Sequence, residues 1–77
     1  MKSLVLIRHA KSSWDDPQVD DHDRPLNARG LRNAPVMGKR ISDYNISFDT
    51  LISSTALRAR TTAEIIARSI DWPIERI

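Results

Sequence analysis

The chain opens on an apolar run, Ser3-Leu4-Val5-Leu6-Ile7-Arg8, in which hydrophobic residues follow one another without alternation. A run of this kind, partly β-branched, fits a strand covered on both faces of a parallel sheet. From Lys11 to Arg24 the pattern gives way to a polar stretch carrying Asp15, Asp16, Asp20, Asp21 and Asp23. A long loop without periodicity is commonly functional. Periodicity returns after Asn27, a residue type suited to N-capping. Leu31, Ala34, Met37, Gly38 and Ile41 then share one face of a helix expected to reach about Asp43. Pro35 lies inside that pattern, and its missing N–H predicts a kink or break.

A second strand is predicted over Phe48-Asp49-Thr50-Leu51-Ile52-Ser53. Ser54 or Thr55 is suited to cap a second helix, whose apolar stripe is Ala56, Ala59, Ala63, Ile66 and Ile70. Thr61-Thr62-Ala63-Glu64 fits a capping box and offers a later start for the same helix. Asp71-Trp72-Pro73 ends it, and residues 73–77 read as the start of a third strand. Helical crossovers of this length call for parallel strands in right-handed βαβ units. The expected class is α/β, a parallel-sheet βαβαβ core.

At 77 residues the chain is one domain at most. Hydrophobic residues make up 40% and charged residues 29%, a folded rather than a disordered composition. There is no cysteine, which excludes disulfides and thiolate metal sites. The longest apolar run falls far short of the roughly 20 residues that cross a bilayer. No membrane partner is expected, and the expected location is cytoplasmic. Lys and Arg number 12 against 10 Asp and Glu, a net charge of +2. Nine of those bases are arginine, whose planar fork suits phosphate and carboxylate. Acids sit between the bases, so no basic stripe for nucleic acid is expected. A nucleic-acid-binding module is the weakest reading, and it requires a steep salt dependence of binding.

Ligands of open parallel sheets bind outside the carboxyl ends of the strands. The first such end carries Arg8-His9-Ala10-Lys11-Ser12, and the second carries Ser53-Ser54-Thr55-Ala56-Leu57-Arg58. Arg58 falls in the first turn of the second helix, where backbone N–H groups favour an anion. Two guanidiniums, a helix N-terminus and an imidazole converging on one point make a phosphate pocket. In it, a neutral His9 attacks phosphorus while Arg8 and Arg58 neutralise the equatorial oxygens. Ser12 is read either as a phosphate donor or as a turn hydroxyl. Arg24 either reaches the pocket or pairs with Asp21 or Asp23 in the loop. Lys11 and Trp14 are candidates for the rim, and Arg60 and Arg68 are read as solvated. His22 among the aspartates invites a metal, but the spacing matches no EF-hand loop. No Gly-x-Ser-x-Gly elbow surrounds Ser53-Ser54, so no serine nucleophile is assigned.

Arg8-His9-Ala10 resembles the Arg-His-Gly signature of the histidine phosphatase (phosphoglycerate mutase-like) superfamily, with Ala in place of Gly. Ser53-Ser54-x-x-x-Arg58-Ala59-x-x-Thr62-Ala63 resembles that family's second signature. Arg8-His9-Ala10-Lys11-Ser12-Ser13-Trp14 and Asp23-Arg24-Pro25-Leu26-Asn27-x-Arg29-Gly30 resemble its SixA-type branch, the phosphohistidine phosphatases. The resemblance implies His9 as the phosphorylated nucleophile and Arg8 and Arg58 as phosphoryl-binding groups. Ser12, Arg24 and Lys11 are further candidates for binding. The implied substrate is phosphohistidine on a signalling protein such as a histidine phosphotransfer domain, with small phosphoesters as the other substrate class. No metal or other cofactor is implied. The implied fold is three-layered. The superfamily's second pocket histidine lies after the third strand, so residues 1–77 are expected to be the N-terminal part of a single, longer domain. The other reading of such a part is a non-catalytic phosphate- or phosphoprotein-binding fragment.

Overall fold

A computed structural model describes residues 3–77. Two helices make its frame: α1, Ala28–Asp43, and α2, Leu57–Ser69, packed against each other. Short 3₁₀ turns at Asp21–Asp23 and Ile74–Arg76 both lie against α2. The buried apolar residues are Leu26, Ala34, Ile41, Ala56, Ile66 and Ala67.

The expected parallel sheet is not formed among the described residues, and the α/β assignment is corrected to a helical arrangement. The one β-type pairing among them is an isolated antiparallel bridge between Ser12 and Leu26. The segments at 3–8 and 48–53 carry the apolar sequence of strands without a backbone ladder between them. The physical reason lies in what covers them. A parallel strand is stable when both faces are buried and both edges are paired. Here Leu4 and Leu6 are 81% and 85% exposed, while Val5 and Ile7 are about half as exposed, at 44% and 39%. The period-two signature of a strand therefore survives in the burial, with only one face partly covered. Ile7, Leu51, Ile52, Ala59, Ala63 and Ile66 border a gap of ≈ 290 Å³ between the two segments and α2. The expected third strand is also corrected: residues 73–77 turn back as a 3₁₀ helix. Arg76 N–H bonds Pro73 O at 3.0 Å, and Arg60 Nη2 bonds Ile74 O at 3.3 Å. Arg60, half-buried and paired with Glu64 at 3.1 Å, is thus a tether rather than a solvated cation. Arg68 is exposed.

Helix α1 begins where the sequence places it. Asn27 Oδ1 accepts from Gly30 N–H at 2.8 Å, satisfying one orphan donor of the first turn. The helix runs through Pro35 without the break that was one of the two expected outcomes, a kink being the other. Pro35 is on the exposed side, where the unpaired Leu31 carbonyl can be met by water. The buried face is Gly30, Ala34, Gly38 and Ile41, while Leu31 and Met37 are exposed. Helix α2 is not capped by Ser54 or Thr55. Its N-cap is Ala56, and Ser54 Oγ accepts from Ala56 N–H at 3.1 Å one step earlier. Both helices end through left-handed residues, Asn45 at φ 55° and Asp71 at φ 59°. At the second end Trp72 N–H reaches Ala67 O at 2.8 Å, the longer bond of a Schellman closure.

Two glycines set how closely the parts approach. A Cβ on Gly38 would stand 2.7 Å from Ser69 Cβ, so α1 and α2 meet there backbone to side chain. A Cβ on Gly30 would collide with the backbone of Lys11. That contact docks the first turn of α1 on the residue two places after His9, and Asn27 N–H adds a bond to Lys11 O at 2.9 Å. Ser13 N–H bonds Pro25 O at 2.8 Å, so residues 13–25 form a loop closed at its base, of the Ω type.

One carboxylate holds that loop to α2. Asp21 Oδ1 accepts from Arg24 Nη2 at 3.1 Å, and Oδ2 accepts from Arg58 Nη2 at 3.1 Å. Arg58 Nη1 also donates to Asp21 O at 2.6 Å. The Arg24 hydrogen bond first, and the Arg58 bond and charge after it, hold the Asp21 carboxyl below its ordinary value of 3.8. A carboxyl depressed in the folded state stabilises it above the unfolded value, and that stabilisation is lost as pH falls through the folded value.

Two outcomes are expected. Gly38→Ala should destabilise by about 1–3 kcal/mol, because overpacking outweighs the ~1 kcal/mol that alanine gains in helix propensity; chemical denaturation checks the sign. Asp21→Asn should flatten the acid limb of a plot of thermal midpoint against pH below about pH 4, leaving the neutral limb parallel to that of the parent. An acid limb as steep as the parent's would assign the loss to other carboxylates.

Candidate active site

Arg8, His9, Ala10, Lys11, Ser12, Trp14, Arg24, Arg29 and Asn33 line one open cleft of ≈ 610 Å³. The structure thus brings together five of the six residues singled out from the sequence: Arg8, His9, Lys11, Ser12 and Arg24. The sixth, Arg58, is not in the lining. Its side chain is 17% exposed and engaged with Asp21.

His9 is partly buried, and its Nδ1 lies 2.7 Å from Ala10 O. A carbonyl oxygen only accepts, so Nδ1 carries the proton, and in the neutral ring Nε2 keeps its lone pair. The backbone around His9 is fixed by the next residue. Ala10 N–H donates to Thr62 Oγ1 at 3.1 Å, and that hydroxyl donates to Arg58 O at 2.8 Å. Thr62 is buried, and the pair of bonds it makes is partly buried with it. The hydroxyl ties the His9 segment to the first turns of α2 and satisfies an amide with no partner in a ladder.

Arg24 is buried to 8% exposure, with its guanidinium carbon over the Trp14 ring, 3.6 Å from the centroid. Its Nη1 donates to Ser12 Oγ and its Nη2 to Asp21, while Nε is buried without an acceptor among the described residues. The two readings of Arg24 are therefore both realised: it pairs within the loop and forms part of the cleft wall. Ser12 is buried and held by Arg24. His22 bonds Asp23 Oδ1 at 3.2 Å and Thr55 Oγ1 at 2.9 Å, bracing the 3₁₀ turn against the start of α2. Among the described residues no group of three or more His, Asp or Glu side chains converges as a metal site would require.

Sequence reasoning assigned no role to Arg29, Asn33 or Thr62. Arg29 and Asn33 stand four residues apart, one helical turn, in the first half of α1. Their place in the cleft depends on the docking of α1 against Lys11, which no local pattern reports. Thr62 was visible as a polar residue within an apolar helix stripe, a position that usually marks a hydroxyl with a backbone partner.

Comparisons with known proteins show the family to which this cleft belongs. The model of the histidine phosphatase superfamily (branch 1) matches residues 4–77. The chain is 37% identical over 74 residues to an uncharacterized chloroplastic protein of Arabidopsis thaliana, spanning 96% of this chain and 34% of that one. It is 33% identical over 76 residues to the mitochondrial serine/threonine-protein phosphatase Pgam5 of Drosophila simulans, spanning 99% of this chain and 26% of the relative. Among solved structures it is similar to an Agrobacterium tumefaciens protein assigned as the phosphohistidine phosphatase SixA. That match has a TM-score of 0.78 and 35% identity, and covers 84% of this chain and 42% of that one. The chain thus spans about a third or less of these curated relatives. Among the described residues no helix is long and apolar enough to cross a membrane. The compartments in the relatives' names, chloroplast and mitochondrion, lend the cytoplasmic expectation no support. An imidazole with a fixed tautomer in an arginine-lined cleft, together with a family match over nearly the whole chain, places this protein in the histidine phosphatase superfamily, branch 1.

Proposed function

We propose that the protein is a phosphatase that works through a phosphohistidine at His9, as part of a histidine phosphatase domain. The observation that carries this reading is the bond from His9 Nδ1–H to Ala10 O at 2.7 Å. It leaves Nε2 as the nucleophilic nitrogen. Nε2 attacks phosphorus, the bond from phosphorus to the leaving atom breaks, and the leaving group departs with a proton taken from solvent. Water then attacks the phosphohistidine, releasing orthophosphate and restoring the neutral ring. Arg8 and Arg24 supply positive charge for the equatorial oxygens, Ser12 supplies a hydroxyl, and Lys11 stands in the same cleft as a further substrate-binding cation. Arg58 enters the proposal as a second phosphoryl-binding guanidinium, its two terminal nitrogens now donating to the backbone carbonyl and to one carboxylate oxygen of Asp21.

The finer substrate is phosphohistidine on a signalling protein, a reading supported by the resemblance to the SixA-type branch. A P–N bond to imidazole breaks readily once the leaving nitrogen is protonated, so the demand on a dedicated acid is small. The Pgam5 relatives are named as serine/threonine-protein phosphatases, and phosphoserine is accordingly the substrate to compare.

Two outcomes test the reading. Rapid mixing of the complete domain with a phosphohistidine peptide should trap an acid-labile, alkali-stable label, and His9→Ala should abolish it; a label that survives the substitution places the nucleophile elsewhere. Thr62→Val should lower turnover by about tenfold or more, since it leaves the Ala10 amide unpaired at a cost of roughly 1–3 kcal/mol. Thr62→Ser should restore most of that loss, and equal rates for Val and Ser would show that the hydroxyl is not needed.

A further inference from the structure

The cleft beside His9 carries more positive charge than one phosphoryl group requires. Arg8, Lys11, Arg24 and Arg29 line it, and no carboxylate does. Arg24 is compensated by Asp21. Arg8, Lys11 and Arg29 have no ion-pair partner among the described residues. If Arg8 and Arg24 serve the phosphoryl oxygens, two cations are left over.

Those two are not independent surface charges. The backbone of Lys11 is locked to the first turn of α1 by the bond from Asn27 N–H and by the absence of a side chain at Gly30. Arg29 is the residue before Gly30, and Asn33 follows Arg29 by one turn on the same wall of the cleft. The backbones that bear the ammonium, the guanidinium and the amide are therefore held against one another. At ≈ 610 Å³ the cleft also lies in the size range of sites that enclose whole small molecules, well beyond one phosphoryl group.

We propose that Lys11, Arg29 and Asn33 form a second anion subsite, which binds a carboxylate or further phosphate that the substrate carries beside its reacting phosphoryl group. The assignment rests on the phosphatase reading of the cleft and deepens it to substrates with two anionic groups. The second anion has two sources of one chemistry: an acidic side chain flanking a phosphorylated residue, or the carboxylate of a small phosphoester. Arg29 supplies two parallel donors that fit either, and Lys11 adds a point charge.

Calorimetric titration of the protein with phosphonoacetate and with methylphosphonate tests the subsite without any chemistry. Phosphonoacetate should bind about tenfold or more tightly, the increment of a charge-assisted hydrogen bond. Arg29→Gln should bring the ratio of the two affinities close to one, and Arg29→Lys should restore part of it. Arg32→Gln, an exposed change on the same helix outside the cleft, should leave both affinities as they were. An unchanged ratio in Arg29→Gln, or equal weakening of both phosphonates, overturns the assignment. Turnover of phosphohistidine peptides flanked by Asp or by Ala separates the sources. A preference for Asp that Arg29→Gln removes assigns the anion to a protein substrate, and a preference confined to the phosphonates assigns it to a small one. Failure of the complete domain to turn over any peptide, with the phosphonate ratio intact, would sink the phosphatase reading and leave the subsite standing.

Discussion

The Thr62 hydroxyl is the joint on which the site depends. In a sheet, the amide after His9 would be paired by a neighbouring strand. Here it is paired by one side chain reaching out of α2, and that side chain is itself anchored to Arg58 O. A buried hydroxyl can do this because it donates and accepts at once. The same hydroxyl joins α2 to a segment that α1 grips from its other end through Lys11 O. His9 is therefore held between two helices that are packed on each other, with its tautomer set by its own neighbour.

Much of this was legible in the sequence, and the failures have a common cause. The start of α1 at Asn27, its end near Asp43 and the closure at Asp71 were visible because caps and turns are local chemistry. The cleft residues Arg8, His9, Lys11, Ser12 and Arg24 were visible because they cluster near one end of an apolar run or in a distinctive loop. The sheet was misjudged because hydrophobic periodicity reports what a segment can bury, not whether covering elements are present. Leu4 and Leu6 have the character of buried strand residues and lie exposed. Arg29 and Asn33 were passed over because their role depends on Gly30 meeting the backbone of Lys11, a contact between residues 19 positions apart.

Charge in this small molecule is organised by pairing rather than by sum. A net charge of +2 conceals a cleft wall of four cations and a single aspartate that occupies two guanidiniums at once. Asp21 is itself exposed, so its hold on Arg24 and Arg58 is screened by salt and opposed by water. The arrangement orients both arginines through one carboxylate.

The stacking of Arg24 on Trp14 gives the cleft an optical handle. Trp14 is 74% exposed, and its ring centroid lies 3.6 Å from a guanidinium that also touches Ser12 and Asp21. Any event that draws Arg24 off the ring changes the polarity and quenching felt by that indole. Trp72, at the far end of α2 and 5.2 Å from the Arg76 guanidinium, has no such connection to the cleft. The two emitters therefore divide the work, one following occupancy of the basic wall and the other the integrity of the helix end, within a single unlabelled chain.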